Sequence, residues 1–242
     1  MKVAGFAPSI WGPTVWALWT AVSMLEGGKE KTKAEMAILM TRLLPCEPCR
    51  MYIGLFVTSS RVFCKGEYKL RDMHRLRCRV RAKIEAGAGR ELQPAAAYSP
   101  SVIECRRRRA CTGPAQIDPR AVLCMMAMQG EVEEDDMMWR GVQRVACVAR
   151  LCRLLASLPA KVVVLPTMEL RRAESALRTY IRGVKGEDLN AATPRQMRRW
   201  CSDARVLLEK SLHFRLSSPE IARGPAVLIS DEFMTDDEVN NE

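Results

Sequence analysis

Leu44-Pro45-Cys46-Glu47-Pro48-Cys49-Arg50 places two thiols in a C-x-x-C at the start of what reads as a helix. A thiol at a helix N-terminus sits near the positive end of the dipole and among unpaired backbone N–H groups, which favour thiolate. Pro45 suits the first helical position, and Arg50 adds positive charge close by. Three residues apart, Cys46 and Cys49 lie about one turn from each other and can close a small redox-active ring. Taken alone, the spacing also fits half of a zinc site or two incidental thiols.

Upstream runs Ile10-Trp11-Gly12-Pro13-Thr14-Val15-Trp16-Ala17-Leu18-Trp19-Thr20, thirty residues ahead of the dithiol. W-G-P-x-x-W on a first helix, a second helix, and then P-C-x-x-C together resemble the Erv/ALR family of FAD-linked sulfhydryl oxidases, in the compact form found in large DNA viruses. The resemblance covers about the first eighty-five residues. It implies an all-α fold: a four-helix FAD-binding bundle, here with a C-terminal helical extension. It also implies that first-helix aromatics pack on the flavin while the C-x-x-C passes electrons to it. By the family pattern Cys46 is the interchange thiol and Cys49 the thiol nearest the flavin; Trp11, Gly12, Trp16, Thr20 and His74 stand at cofactor-binding positions.

Two positions depart from that pattern. Where the family has W-x-x-L-H, this chain reads Trp16-Ala17-Leu18-Trp19-Thr20, so Thr20 replaces a histidine. The family's later H-N-x-V-N is closest to Met73-His74-Arg75-Leu76-Arg77-Cys78, which keeps one histidine and no asparagine. Cys64 and Cys78 bracket the start of the fourth helix, comparable to a structural disulfide of cellular members. Closing that loop would stabilise by roughly 3 kcal/mol on chain-entropy grounds; two free buried thiols are the alternative.

Composition sets the bounds. Of 242 residues, 48% are hydrophobic and 27% charged, as in a folded chain of one or two domains. Three of the five tryptophans fall within residues 11–19, which suits a flat polarisable surface or a packed core. The net charge is +10, and residues 60–109 hold fourteen Lys/Arg against five Asp/Glu, a local +9. Such a block attracts polyanions, but no nucleic-acid module accompanies it, so any nucleic-acid contact is expected to be non-specific. A solvated basic face or a site for the FAD pyrophosphate reads equally well. Ten irregularly spaced cysteines and only two histidines suggest no closed metal site. With no secretory signal and no membrane-length apolar run, the expectation is an intracellular protein that handles disulfides: host cytoplasm or virion, if viral.

In chain order, the first helix is expected over residues 12–25, with Pro13 in its first turn and Gly27-Gly28 as the stop. The second opens on a Thr32-x-x-Glu35 capping box and buries Met36, Leu39, Met40 and Leu43. The third spans residues 46–57, carrying Tyr52, Leu55 and Phe56; a break follows at Ser59-Ser60. The fourth covers residues 67–86 with Met73, Leu76, Val80 and Ile84 inward. These helices make an oxidase bundle of residues 1–86. Residues 87–116 read as a basic Gly/Pro-containing linker in which Cys105 and Cys111 flank four arginines, the form of a shuttle disulfide or of a basic run binding nothing specific. Residues 117–228 read as a helical region whose helix after Trp139 is apolar nearly all round, with Cys147 and Cys152 as core thiols. Lys161-Val162-Val163-Val164-Leu165 is expected as an extended connector between prolines, and Thr193 as a helix cap. Residues 229–242 carry six acids and no base, an acidic tail.

The sequence therefore predicts a flavin-linked thiol oxidase that forms disulfides in thiol-containing substrate proteins and passes electrons to oxygen, with a homodimer implied by family habit. The competing class is a basic binding or scaffold protein, contacting nucleic acid or an acidic partner, whose C-x-x-C is structural or vestigial.

Overall fold

A computed structural model describes residues 8–44, 47–87, 117–132, 142–160, 162–184 and 193–216. Among these the chain is all-α, with helices α1 (Pro8–Ser23), α2 (Glu30–Leu43), α3 (Glu47–Ser59), α4 (Arg61–Cys64), α5 (Leu70–Gly87), α6 (Arg120–Val132), α7 (Val142–Ala156), α8 (Thr167–Val184) and α9 (Pro194–Ser211). No strand occurs in the described residues. The predicted extended connector makes a single parallel bridge, Ile117 to Val163. Its bonds run from Ile117 N–H to the Val162 carbonyl (3.0 Å) and from Val164 N–H to the Ile117 carbonyl (3.1 Å). The linker at residues 88–116, the Cys105/Cys111 pair and the acidic tail lie outside the described residues.

The long helices pack in two rings. In the first, α1 touches α2, α2 touches α3, α3 touches α5, and α5 returns to α1; α4 bridges α2 and α3. In the second, α6, α7, α8 and α9 close the same circuit, with an added contact between α7 and α9. The rings meet through α1 against α6 and α2 against α7, so one apolar core runs from Trp11 to Leu216. At its centre is α7, which buries ten of fifteen residues, as its nearly all-round apolar sequence requires. Cys147 and Cys152 are among them, both free thiols. At the rim of the junction Glu35 accepts from Arg150 Nε (3.1 Å) and Arg153 Nη2 (3.2 Å). Both arginines are about half exposed, so this is worth under about 1 kcal/mol and fixes register more than stability.

Several local expectations change. Helix α1 begins at Pro8, so Pro13 lies inside it and cannot donate to the carbonyl one turn back. Gly27 and Gly28 end its loop at φ +67° and +73°. The Thr32/Glu35 capping box does not form: α2 starts at Glu30 behind Lys29 with no side-chain cap, and Glu35 turns to the two arginines of α7. By contrast Thr193 caps α9 through a reciprocal box with Gln196. After a break at Ser60 alone, one further turn, α4, precedes α5. Cys64 and Cys78 are not joined by a disulfide, so the clamp drawn from the family pattern is not made. Packing holds α5 instead, through Met73, Leu76 and Val80.

The loop between α4 and α5 ties the first ring together. Trp19 Nε1 donates to Tyr68 Oη (3.0 Å), which in turn donates to the Lys33 carbonyl (2.9 Å). That links α1, the loop and α2 through a tyrosine whose pKa burial pushes well above its ordinary value. Two residues earlier, Gly66 sits at φ +71°, pressed so close to α2 that a Cβ would collide with the Glu30 carbonyl and the Ala34 amide.

Candidate functional site

The first turn of α3 is positioned from behind. Leu44 leaves α2 in an extended conformation (φ −53°, ψ 131°), as a residue before proline must. Its carbonyl is taken by the Arg50 guanidinium, Nη1 to O at 2.8 Å. Arg50 is buried, so a positive charge is held inside the bundle one residue from Cys49 and ties the end of α2 to the first turn of α3. A buried cation and a helix N-terminus both stabilise thiolate over thiol. The sequence suggested the charge of Arg50; its inward direction and its bond to Leu44 carry no local signal.

Cys49 is 1% exposed and disulfide-bonded. No other described cysteine (64, 78, 124, 147, 152 and 201) is in a disulfide. Its partner therefore lies outside the described residues, where Cys46, Cys105 and Cys111 fall. Cys49, Ile53 and Val57 recur at i, i+4 and i+8 and form the inward stripe of α3. Tyr52 and Leu55, expected to be carried on this helix, are on its exposed side, and Phe56 is half-buried.

Across the ring, α1 divides the predicted cofactor residues. Gly12, Trp16 and Thr20, spaced at i, i+4 and i+8, lie along one flank. Trp16 is half-buried and lies parallel to Trp19, with centroids 5.8 Å apart and planes 3° from parallel. Trp19 meets Phe63 and Tyr68 edge-on, and Phe63 stacks on Tyr68 at 4.5 Å. Trp11 is 2% exposed and belongs to the apolar core, against which Trp16 also packs. On α5, His74 is half-buried with Nε2 3.9 Å from the Cys78 sulfur. Phe63 and Tyr68 were not singled out in the sequence; they are forty-odd residues from Trp19, and no short-range pattern announces such a cluster.

A flat heteroaromatic ligand needs open space against an indole. Gly12 is buried, yet among the described atoms a Cβ built there would meet only Trp16 Cδ1, at 3.9 Å. On the same helix Thr14 Oγ1 is fully buried with no hydrogen-bond partner. The space at Gly12 beside Trp16 suits the edge of a flat group; Thr14, two residues from each of them, faces another side of α1 and is not part of that flank. No set of three or more His, Cys, Asp or Glu that could hold a metal ion occurs among the described residues, and no described helix is long and apolar enough to cross a membrane. Comparison of the chain with protein-family models, with curated proteins and with solved structures finds no match.

Proposed function

We propose that the chain is an Erv/ALR-like thiol oxidase, with Cys46 and Cys49 as its redox pair and FAD held on the Gly12–Trp16–Thr20 flank of α1 with His74 on α5. What supports the reading most is Cys49: buried, oxidised, on the first turn of α3 and beside an inward-facing arginine, in a four-helix ring whose opposite corner carries stacked indoles. A substrate thiolate attacks the Cys46 sulfur, forming a mixed disulfide and releasing Cys49 as thiolate. A second substrate thiol displaces Cys46, so two substrate thiols leave as one disulfide and the dithiol has gained two electrons and two protons. Arg50 stabilises the Cys49 thiolate, and the packed core around it excludes water. When bound, FAD supplies the acceptor for those electrons and their route to oxygen.

The test is direct. The purified chain should be yellow and consume oxygen with dithiothreitol, and Cys49→Ser should abolish consumption while circular dichroism stays helical. Undiminished turnover by that variant removes Cys49 from the mechanism. The second reading, a polyanion-binding protein, draws on the exposed Arg61, Lys65, Lys69, Arg71, Arg75 and Arg79. It calls for a colourless protein whose affinity for polyanions falls steeply with salt.

A further inference from the structure

Helix α3 is turned inside out with respect to charge. From Cys49 to Ser59 its one ionisable residue other than cysteine and tyrosine is Arg50, and that side chain is buried. The outward face is Met51, Leu55, Thr58 and Ser59, edged by Tyr52, with Met51 61% and Leu55 69% exposed. A helix facing only water carries charge there, as α5 does with Arg71, Arg75 and Arg79. An uncharged outward face with two large side chains one turn apart has the form of a covered one. Its rim is basic. Arg79 lies over the Phe56 ring at 5.1 Å, and Arg61 and Lys65 flank Val62, itself exposed, on the helical turn that follows.

The chain contains a segment of matching chemistry. Residues 226–238 read Ala-Val-Leu-Ile-Ser-Asp-Glu-Phe-Met-Thr-Asp-Asp-Glu: two apolar clusters, each followed by acids, with no base. They lie outside the described residues. The eleven residues that follow Leu216, up to Val227, can extend to about 36 Å. A compact chain of this length has a radius of gyration of about 18 Å, so such an arm is about two of those radii long. We propose that residues 226–238 dock on the outward face of α3, the apolar side chains over Met51 and Leu55 and the carboxylates against the bases of α4 and α5. The docking stands on charge and exposure and does not rest on the oxidase reading.

The experiment places p-benzoylphenylalanine at Leu55 in the full chain, irradiates it, and maps the cross-linked peptides after trypsin. No Lys or Arg follows Arg223, so residues 224–242 leave as one fragment. The expected result is an intramolecular link from α3 to that fragment. Its yield should fall several-fold in 1 M salt, where the screening length is about 3 Å, and in a variant combining Asp236→Asn, Asp237→Asn and Glu238→Gln. The same probe at Val206, an exposed apolar position on α9, is the control. Links to a second chain or to another segment, or a yield no higher than at Val206, overturn the proposal. So does a link to the fragment that ignores both salt and the neutralised acids.

Discussion

Replacing Tyr68 with phenylalanine isolates the bond network that holds the first ring in register. The hydroxyl serves two partners, the Trp19 indole N–H at 3.0 Å and the Lys33 carbonyl at 2.9 Å. Trp19 has no exposed surface, so water cannot replace the lost acceptor. A stranded buried donor costs about 1–3 kcal/mol, and the carbonyl loses one bond worth about 1 kcal/mol. The sum is about 3 kcal/mol, roughly a 150-fold change in the folding equilibrium. Urea unfolding followed by tryptophan fluorescence measures it as a fall in midpoint with little change in slope. The Trp19→Phe/Tyr68→Phe pair supplies the sharper check: with both partners apolar, the double variant should lose less than the two singles added together, by 1 kcal/mol or more. A Tyr68→Phe cost within about 0.5 kcal/mol, or strict additivity, would refute the argument that this hydroxyl is what satisfies Trp19.

Gly66→Ala forces a side chain into the left-handed region against the first turn of α2, so thermal unfolding should shift down by the equivalent of more than about 2 kcal/mol; an unchanged midpoint would mean the loop can move off α2. Arg50→Met keeps bulk but strands the Leu44 carbonyl, for a loss of about 1–2 kcal/mol by the same unfolding assay. It should also slow alkylation of the reduced Cys49; a normal rate would show that the guanidinium leaves the thiol unaffected. Burial pushes the Cys152 thiol up to about 12 from 9, so native protein at pH 8 should alkylate at Cys64 and spare Cys152, read by mass spectrometry. The unfolded chain releases that proton near pH 9 while the folded chain keeps it, so urea midpoints should decline as pH rises from 9 towards 12; a flat profile there would contradict the burial of this thiol.

Helical periodicity was readable because apolar residues repeat along single helices: Met36, Leu39, Met40 and Leu43 on α2, and the nearly all-apolar α7, are buried where the pattern put them. The misplacements come from competition between partners. Thr32 and Glu35 have the letters of a cap, but Glu35 finds two guanidinium groups on a helix more than a hundred residues away. Leu55 has the letters of a core residue and lies outward because Cys49, Ile53 and Val57 already fill the inward stripe. The C-x-x-C was legible from its spacing, whereas Gly12, Trp16 and Thr20 were singled out through the family resemblance; that these three share one flank of α1 is what their i, i+4, i+8 spacing dictates. Trp11 joining the core, Tyr68 closing on Trp19 and Arg50 turning inward depend on contacts between helices that no local motif encodes.

The packing of α7 against α2 across the seam bears on how the molecule comes apart. A fragment ending at residue 87 would bare the side of α2 that rests on α7, and the remainder would bare the opposite side of the same seam. Severing the backbone between residues 88 and 116 should therefore yield two pieces that stay together, melt as one, and recombine when mixed, because the seam and not the peptide linkage joins them.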